Sequence, residues 1–168
     1  MEKYTMKNYS FIIIAFVFLT LIAEPANGQN FSQIRMTDLE KILSAKEDKL
    51  LVVNFWATWC PPCVKELPHF QKVAKEYNKE KVLFLLVSID FPSQIDSHLR
   101  PFLKKNNVAL DVALMMDTDQ NEWIDKVDPS WQGNIPVTLM LNNVKKTRKF
   151  HSGDLDETEL RNMINSLL

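Results

Sequence analysis

Cysteine is scarce in this chain: two occur in 168 residues, Cys60 and Cys63, and they frame a Cys-Pro-Pro-Cys tetrapeptide. A small exported domain braced by disulfides would carry more of them, and a bridge across so short a loop constrains the unfolded chain little. Zinc needs about four ligands, and no third cysteine is available to supply one. Covalent haem attachment requires histidine directly after the second cysteine, where Val64 stands. The three histidines, His69, His98 and His151, are scattered without a shared ligand spacing and read as surface residues. Glycine is also rare, with three in the chain, and there is no periodic repeat, low-complexity segment or Pro/Ser-rich linker. Neither sign of charge dominates: 20 basic against 21 acidic residues give a net charge of −1, so nothing points to nucleic acid.

What is present begins with a leader. Lys3 and Lys7 precede the apolar run Phe11 to Ala23, which is followed by Glu24-Pro25 and the small residues Ala26-Asn27-Gly28. The run is shorter than the ~20 residues of a membrane-spanning helix. Residues 1–28 therefore read as a secretory signal peptide cleaved after Gly28, with an uncleaved membrane anchor as the alternative. The leader contains no cysteine, which excludes lipoprotein attachment. Its two glutamates and two lysines cancel, so residues 29–168 keep the net charge of −1 and have the length of one domain. Export with a single close cysteine pair implies a pair used for exchange rather than for bracing.

Leu50 to Trp56 is an apolar run, broken only by Asn54 and rich in β-branched and aromatic residues, as in a central parallel strand covered on both faces. The chain then turns at Thr58 and Trp59. Pro61 and Pro62 have φ preset near the helical value and lack N–H groups, which suits the first positions of a helix. Cys60 is thereby predicted to cap a helix N-terminus, where unpaired backbone N–H groups and the helix dipole lower a thiol below its free value of about 8.5. Cys60 reads as the nucleophile. Cys63, one turn into the helix and facing inward, reads as the resolving thiol.

The run Phe55-Trp56-Ala57-Thr58-Trp59-Cys60-Pro61-Pro62-Cys63, followed by Glu66-Leu67-Pro68, resembles the thioredoxin superfamily and its exported TlpA/ResA-like branch. The similarity extends over about Phe31 to Leu168. It implies an α/β thioredoxin-like fold with a central mixed sheet flanked by helices and an extra strand and helix before the final hairpin. It also implies that Pro136, at the start of Ile135 to Asn142, is the family's cis-proline, set against the cysteines, with an ordinary trans strand start as the lesser alternative. Helical spacing leaves Glu66 open between the interior and a solvated surface, and the resemblance implies a partly buried proton-handling group beside the sulfurs. Plain thioredoxins carry a buried aspartate where Asn54 stands. An amide cannot accept a proton, which makes Glu66 the base available to Cys63.

Trp59, Pro61, Pro62, Ile135 and Pro136 are the expected substrate-binding residues, with Trp131 extending that surface and Trp56 in the core. The resemblance implies thiol–disulfide exchange on exported proteins, with no cofactor beyond the cysteine pair and no metal. It further implies recharging by a membrane thiol–disulfide electron donor, a role for some relatives in cytochrome c maturation, and a monomer in the periplasm or at the extracytoplasmic membrane face. An oxidase or isomerase, and a non-catalytic copper-binding or assembly module, are the alternatives. A peroxidase fits less well, because the related peroxiredoxins want threonine three residues before their cysteine and Ala57 stands there.

Along the rest of the chain, the segment up to Arg35 is open between an edge strand and an extended arm. Thr37 or Asp38 is expected to cap a helix with Leu39, Ile42 and Leu43 on one face. The cysteine helix should bury Cys63, Leu67, Phe70, Ala74 and Tyr77. Val82 to Ile89 reads as a second buried strand, and Ser93 to Asn106 as a helix that Pro101 kinks or splits. Ala109 to Met116 reads as a shorter strand, with Met115 and Met116 as core, and Asp117 to Asp128 as a turn and helix. A turn at Asn142-Asn143 returns the chain to His151, Gly153 ends that strand, and Asp156 caps a closing helix.

Overall fold

A computed structural model describes residues 31–168, so the leader and its cleavage after Gly28 lie outside the described residues. The apolar run at Leu50–Trp56 forms β2, with β3 (Val82–Ser88) parallel beside it, in register from Leu50 opposite Val82 to Trp56 opposite Ser88. On the other side of β2 lies β5 (Val137–Asn142), antiparallel, and β6 (Thr147–Ser152) returns along β5. Beyond β3 come β4 (Asp111–Met115), parallel to it, and β1 (Ser32–Ile34), parallel to β4. The segment before Arg35 is thus an edge strand, and the mixed sheet runs β1-β4-β3-β2-β5-β6.

Alternation along β2 divides the core. Asn54 and Trp56 face one side, where Trp56 packs on Phe102 with ring centroids 5.4 Å apart. Phe55 faces the other, against Trp123 and Trp131. Helix α2 (Pro61–Ala74) follows β2 and buries Cys63, Glu66, Leu67, Phe70 and Val73. Ala74 is half-buried at its end, and Tyr77 lies beyond the helix, its hydroxyl donating to Asn165. The closing helix α5 (Glu157–Asn165) packs on α2, and Asp156 caps it in a reciprocal box with Glu159.

Three elements differ from the sequence expectation. Helix α1 (Met36–Ser44) starts before Thr37: Arg35 is its N-cap, and the first free N–H, that of Met36, donates to Asp117 at 2.7 Å. Asp117 comes from the end of β4, so the cap is tertiary. The expected helix over Ser93 to Asn106 is built in three pieces, a 3-10 turn at Pro92–Gln94, a π turn at Ile95–Leu99 and α3 (Arg100–Lys105). Pro101 has no N–H for the carbonyl of Ser97, and just before it the N–H of Arg100 reaches back five residues to Ile95. The strand read over Ala109 to Met116 is shorter, with Met115 buried and Met116 half-buried beyond its end. A 3-10 turn (Gln120–Glu122) and α4 (Ile124–Val127) then complete the insertion between β3 and β5. Gly153 leaves β6 with φ of +112°, a conformation that favours glycine. No helix among the described residues is long and apolar enough to cross a membrane.

Candidate active site

Parallel β2 and β3 both end at the same edge of the sheet, where the chain loops out into the cysteine turn. The N–H of Cys60 donates to Ala57 O at 3.2 Å, closing that turn, and α2 begins at once with Pro61. Cys60 is the N-cap, its sulfur accepting from the N–H of Cys63 at 3.3 Å. The two cysteines form a disulfide of 2.06 Å. Cys63 is fully buried, while Cys60 keeps a sliver of exposure. Both prolines between them are exposed.

Ile135 and Pro136 face this pair through a cis peptide bond. Ile135 O lies 3.8 Å from Cys60 Sγ. The two residues differ in what they offer: Pro136 is buried and its carbonyl accepts from Gly153 N at 2.9 Å, whereas Ile135 is half-exposed. Trp59 stands beside Cys60 with 53% of its surface exposed. Phe91, which the sequence reading passed over, is 56% exposed, and the two rings line one cavity of about 180 Å³ floored by Ile89, Met115 and Trp123.

Trp131 does not extend this surface. It is 2% exposed, its indole N–H donates to Asn134 O at 2.8 Å, and its ring packs on Phe55, Trp123 and Phe150. A loop tryptophan whose polar edge is satisfied by its own loop loses nothing by burying the rest.

Beneath Cys63, one helical turn on, Glu66 is 1% exposed. Its Oε1 accepts from Asn54 Nδ2 at 2.8 Å and its Oε2 from Leu155 N at 2.9 Å. Burial pushes the carboxyl up to about 7; the bonds from Leu155 and Asn54 pull against that shift, and nearby Asp154 adds to it. Asn54 also donates to Thr138 Oγ1 at 3.2 Å, while its own Oδ1 is unpaired among the described residues.

A second buried carboxylate escaped the sequence reading. Asp90, just past β3, accepts from Thr58 N, Thr58 Oγ1 and Ser88 Oγ. The available signal was an aspartate closing a buried parallel strand at the edge that carries the cysteine turn. The histidines stay apart: His69 lies 3.6 Å from Glu157, and His98 pairs with Ser97. Among the described residues no group of three or more His, Cys, Asp or Glu side chains is placed to hold a metal ion.

The AhpC/TSA family model matches residues 25–146. Thiol-disulfide oxidoreductase ResA of Bacillus subtilis (strain 168) is 31% identical over 145 residues, covering 86% of this chain and 75% of that protein. The chain belongs to the AhpC/TSA family, in the TlpA/ResA-like branch of the thioredoxin superfamily. ResA of Halalkalibacterium halodurans is 25% identical over 111 residues, 66% of this chain, and that match spans 58% of the relative's length. Among solved structures, a thioredoxin-related protein from Neisseria meningitidis serogroup B is similar with a TM-score of 0.60 at 26% identity, covering 74% of this chain and 88% of that one. StoA from Bacillus subtilis shares the fold, with a TM-score of 0.54 at 24% identity over 69% of this chain and 82% of that one. This member of the branch is a thioredoxin-like thiol-disulfide oxidoreductase with Cys60 and Cys63 as its Cys-x-x-Cys pair.

Proposed function

We propose that this oxidoreductase reduces disulfides of exported proteins, cycling Cys60 and Cys63 between dithiol and disulfide. The observation that carries the reading is the asymmetry of the pair. Cys60 caps α2 beside the half-exposed Ile135 edge, and Cys63 is sealed one turn above the buried Glu66.

In the reduced protein Cys60 is the thiolate, favoured by the N-terminus of α2. It attacks one sulfur of a substrate disulfide; a mixed disulfide forms, and the other substrate sulfur leaves as a thiolate that takes a proton from water. Glu66 then accepts the proton of Cys63, whose thiolate attacks Cys60 and releases the second substrate sulfur. Two electrons pass from the cysteine pair to the substrate. A dithiol donor at the membrane returns them through the same exchange in reverse, so the pair itself is the only cofactor required.

Trp59, Pro61, Pro62 and Phe91 form the apolar rim on which a polypeptide docks, and Ile135 offers it a backbone edge, with Pro136 positioning that edge. The leader read over 1–28 supports a periplasmic or extracytoplasmic location, anchored at the membrane face where it is retained. Apocytochromes c, whose haem-attachment cysteines must be reduced, are the substrate class that the resemblance to the branch suggests. The protein acts as a monomer.

Equilibration of the pair against glutathione or dithiothreitol, read by Trp59 fluorescence and thiol alkylation, tests the direction. A potential near or below roughly −230 mV is expected; one near roughly −120 mV makes the protein an oxidant and overturns the reading.

A further inference from the structure

We infer that Asp90 is a positioning residue for the cysteine pair: its buried carboxylate fixes the turn that carries Cys60 and, as a negative charge without a cation, biases the pair toward the disulfide. The inference rests on the pair being the redox couple.

Asp90 is sealed from solvent, and its carboxylate is approached by donors throughout. The Thr58 N–H reaches both oxygens, at 3.2 and 3.1 Å, Thr58 Oγ1 donates at 2.5 Å, and Ser88 Oγ donates at 2.7 Å. The N–H of Asp90 itself donates to Ser88 Oγ at 3.1 Å, which turns that hydroxyl's proton toward the carboxylate. This donor set matches an acceptor-only, ionised carboxylate, and no lysine, arginine or histidine pairs with it among the described residues.

Its placement links the charge to the sulfur. The Ile89 N–H donates to Trp56 O at 2.8 Å, carrying the pairing past the end of β3 and bringing Asp90 level with the start of the turn. Asp90 holds Thr58 inside the turn that Cys60 N closes on Ala57 O. Asp90 and Trp59 also wall the same cavity.

The charged groups around this end act in different directions. The N-terminus of α2 is positive, Glu66 lies behind Cys63, and Asp117 lines the cavity but is paired with Arg35 at 2.9 Å. Asp90 is therefore the negative group on the cavity side with which no cation pairs among the described residues. It opposes the helix terminus and disfavours the Cys60 thiolate, which exists only in the reduced form. The neutral disulfide is untouched by this repulsion, so the dithiol becomes the better electron donor.

The test compares wild type with Asp90→Asn, Asp90→Ser and Asp90→Glu, each equilibrated against glutathione and alkylated across a pH series. Both neutral variants are expected to shift the equilibrium toward the dithiol by about three- to tenfold, tenfold being about 30 mV. They should also lower the pH at which Cys60 becomes half-reactive, and Asp90→Glu should restore both readings toward wild type. If the neutral variants lose only melting temperature, or shift the other way, the inference is wrong. Should neither fold, the wild type decides by carbon NMR. The Asp90 carboxyl resonance must inflect where Cys60 ionises in the reduced protein and stay flat there in the oxidised one; no inflection overturns the inference. The absolute wild-type potential bears on the reductase reading, whereas only the differences between variants bear on Asp90, so the two can fail separately.

Discussion

The amide nitrogen of Asn54 lies 2.8 Å from Glu66 Oε1, and it joins the middle of the central strand to the helix that carries both cysteines. A carboxylate at position 54 would face Glu66 at hydrogen-bond distance, and two like charges so close could not both ionise. The amide instead avoids a second carboxylate beside Glu66, and it donates to the ionised form. The unpaired Oδ1 of Asn54 gives the same side chain a second role, because a rotated amide can accept from a protonated Glu66.

Glu66→Gln should slow the step in which Cys63 resolves the mixed disulfide. Wild type is expected to show a pH inflection near the Glu66 value of about 7, with the rate rising as the carboxylate forms. In the variant that inflection disappears and the rate at neutral pH falls about a hundredfold. Stopped-flow decay of a preformed mixed disulfide on Cys60 measures it directly. An unchanged profile would remove Glu66 from the reaction.

The same carboxyl makes stability depend on pH in a direction opposite to that of most acidic groups. Its folded value of about 7 lies above the ordinary 4.5, so the folded protein holds this proton where the unfolded chain has released it. The contribution is fully present below the ordinary value and is lost as pH rises through about 7, a change of about 3 kcal/mol. Glu76 and Glu157, held low by Arg161 and Lys72, lose stability on the acid side instead, so the informative quantity is wild type minus Glu66→Gln. Urea denaturation of the oxidised protein should show the variant gaining on wild type between about pH 4 and pH 8.

Much of this was legible in the sequence because the signals are local. A seven-residue apolar strand, two prolines at a helix start and a capping cysteine lie within one stretch, and each follows from backbone rules that need no distant partner. Two of the misses have partners far along the chain. Asp90 is fixed by Thr58, 32 residues away, and α1 is capped by Asp117, 81 residues from Met36. Composition alone marks Asp90 as an ordinary solvated turn residue, and only the parallel pairing of β2 and β3 brings it under the cysteine turn. The π turn before Pro101 was visible as a disturbance but not in form, since how a helix accommodates a proline depends on what packs against it.

Removing one sulfur at a time should separate their roles. With Cys63→Ser, attack by Cys60 still proceeds but resolution cannot, so a disulfide substrate should accumulate as a covalent adduct visible on a non-reducing gel. Cys60→Ser should give no such adduct, because Cys63 is buried beneath its partner. Adducts forming on Cys63 with equal ease would reverse the assignment.

Phe91→Ser should weaken substrate docking while leaving the sulfur chemistry intact. The ring is exposed and shares a cavity with Trp59, so its loss removes apolar contact from a bound polypeptide and little from the folded core. Stability should move by no more than about 0.5 kcal/mol. For a protein disulfide KM is expected to rise several-fold with kcat unchanged, and for a small disulfide such as dithiobis(nitrobenzoate) neither should change. Equal losses on both substrates would place Phe91 in the reaction rather than in recognition.

Trp131 supports the site from behind. Its indole N–H holds Asn134 O at 2.8 Å, immediately before Ile135, and its ring centroid is 4.7 Å from that of Phe55 on β2. Trp131→Ala removes a buried aromatic from a four-ring cluster and should cost about 3–5 kcal/mol in urea denaturation. Trp131→Phe keeps most of the packing but removes the donor from Asn134 O, a loss of about 0.5–1.5 kcal/mol. The freed carbonyl loosens the segment that sets Ile135 against Cys60, so KM for a protein disulfide should rise in Trp131→Phe even where the protein is fully folded. The glutathione equilibrium should stay at its wild-type position, because the indole's hydrogen bond and ring contacts are to Asn134, Phe55, Trp123 and Phe150 rather than to the redox residues. An unchanged melting temperature in Trp131→Ala, with KM alone affected, would return this residue to the docking surface.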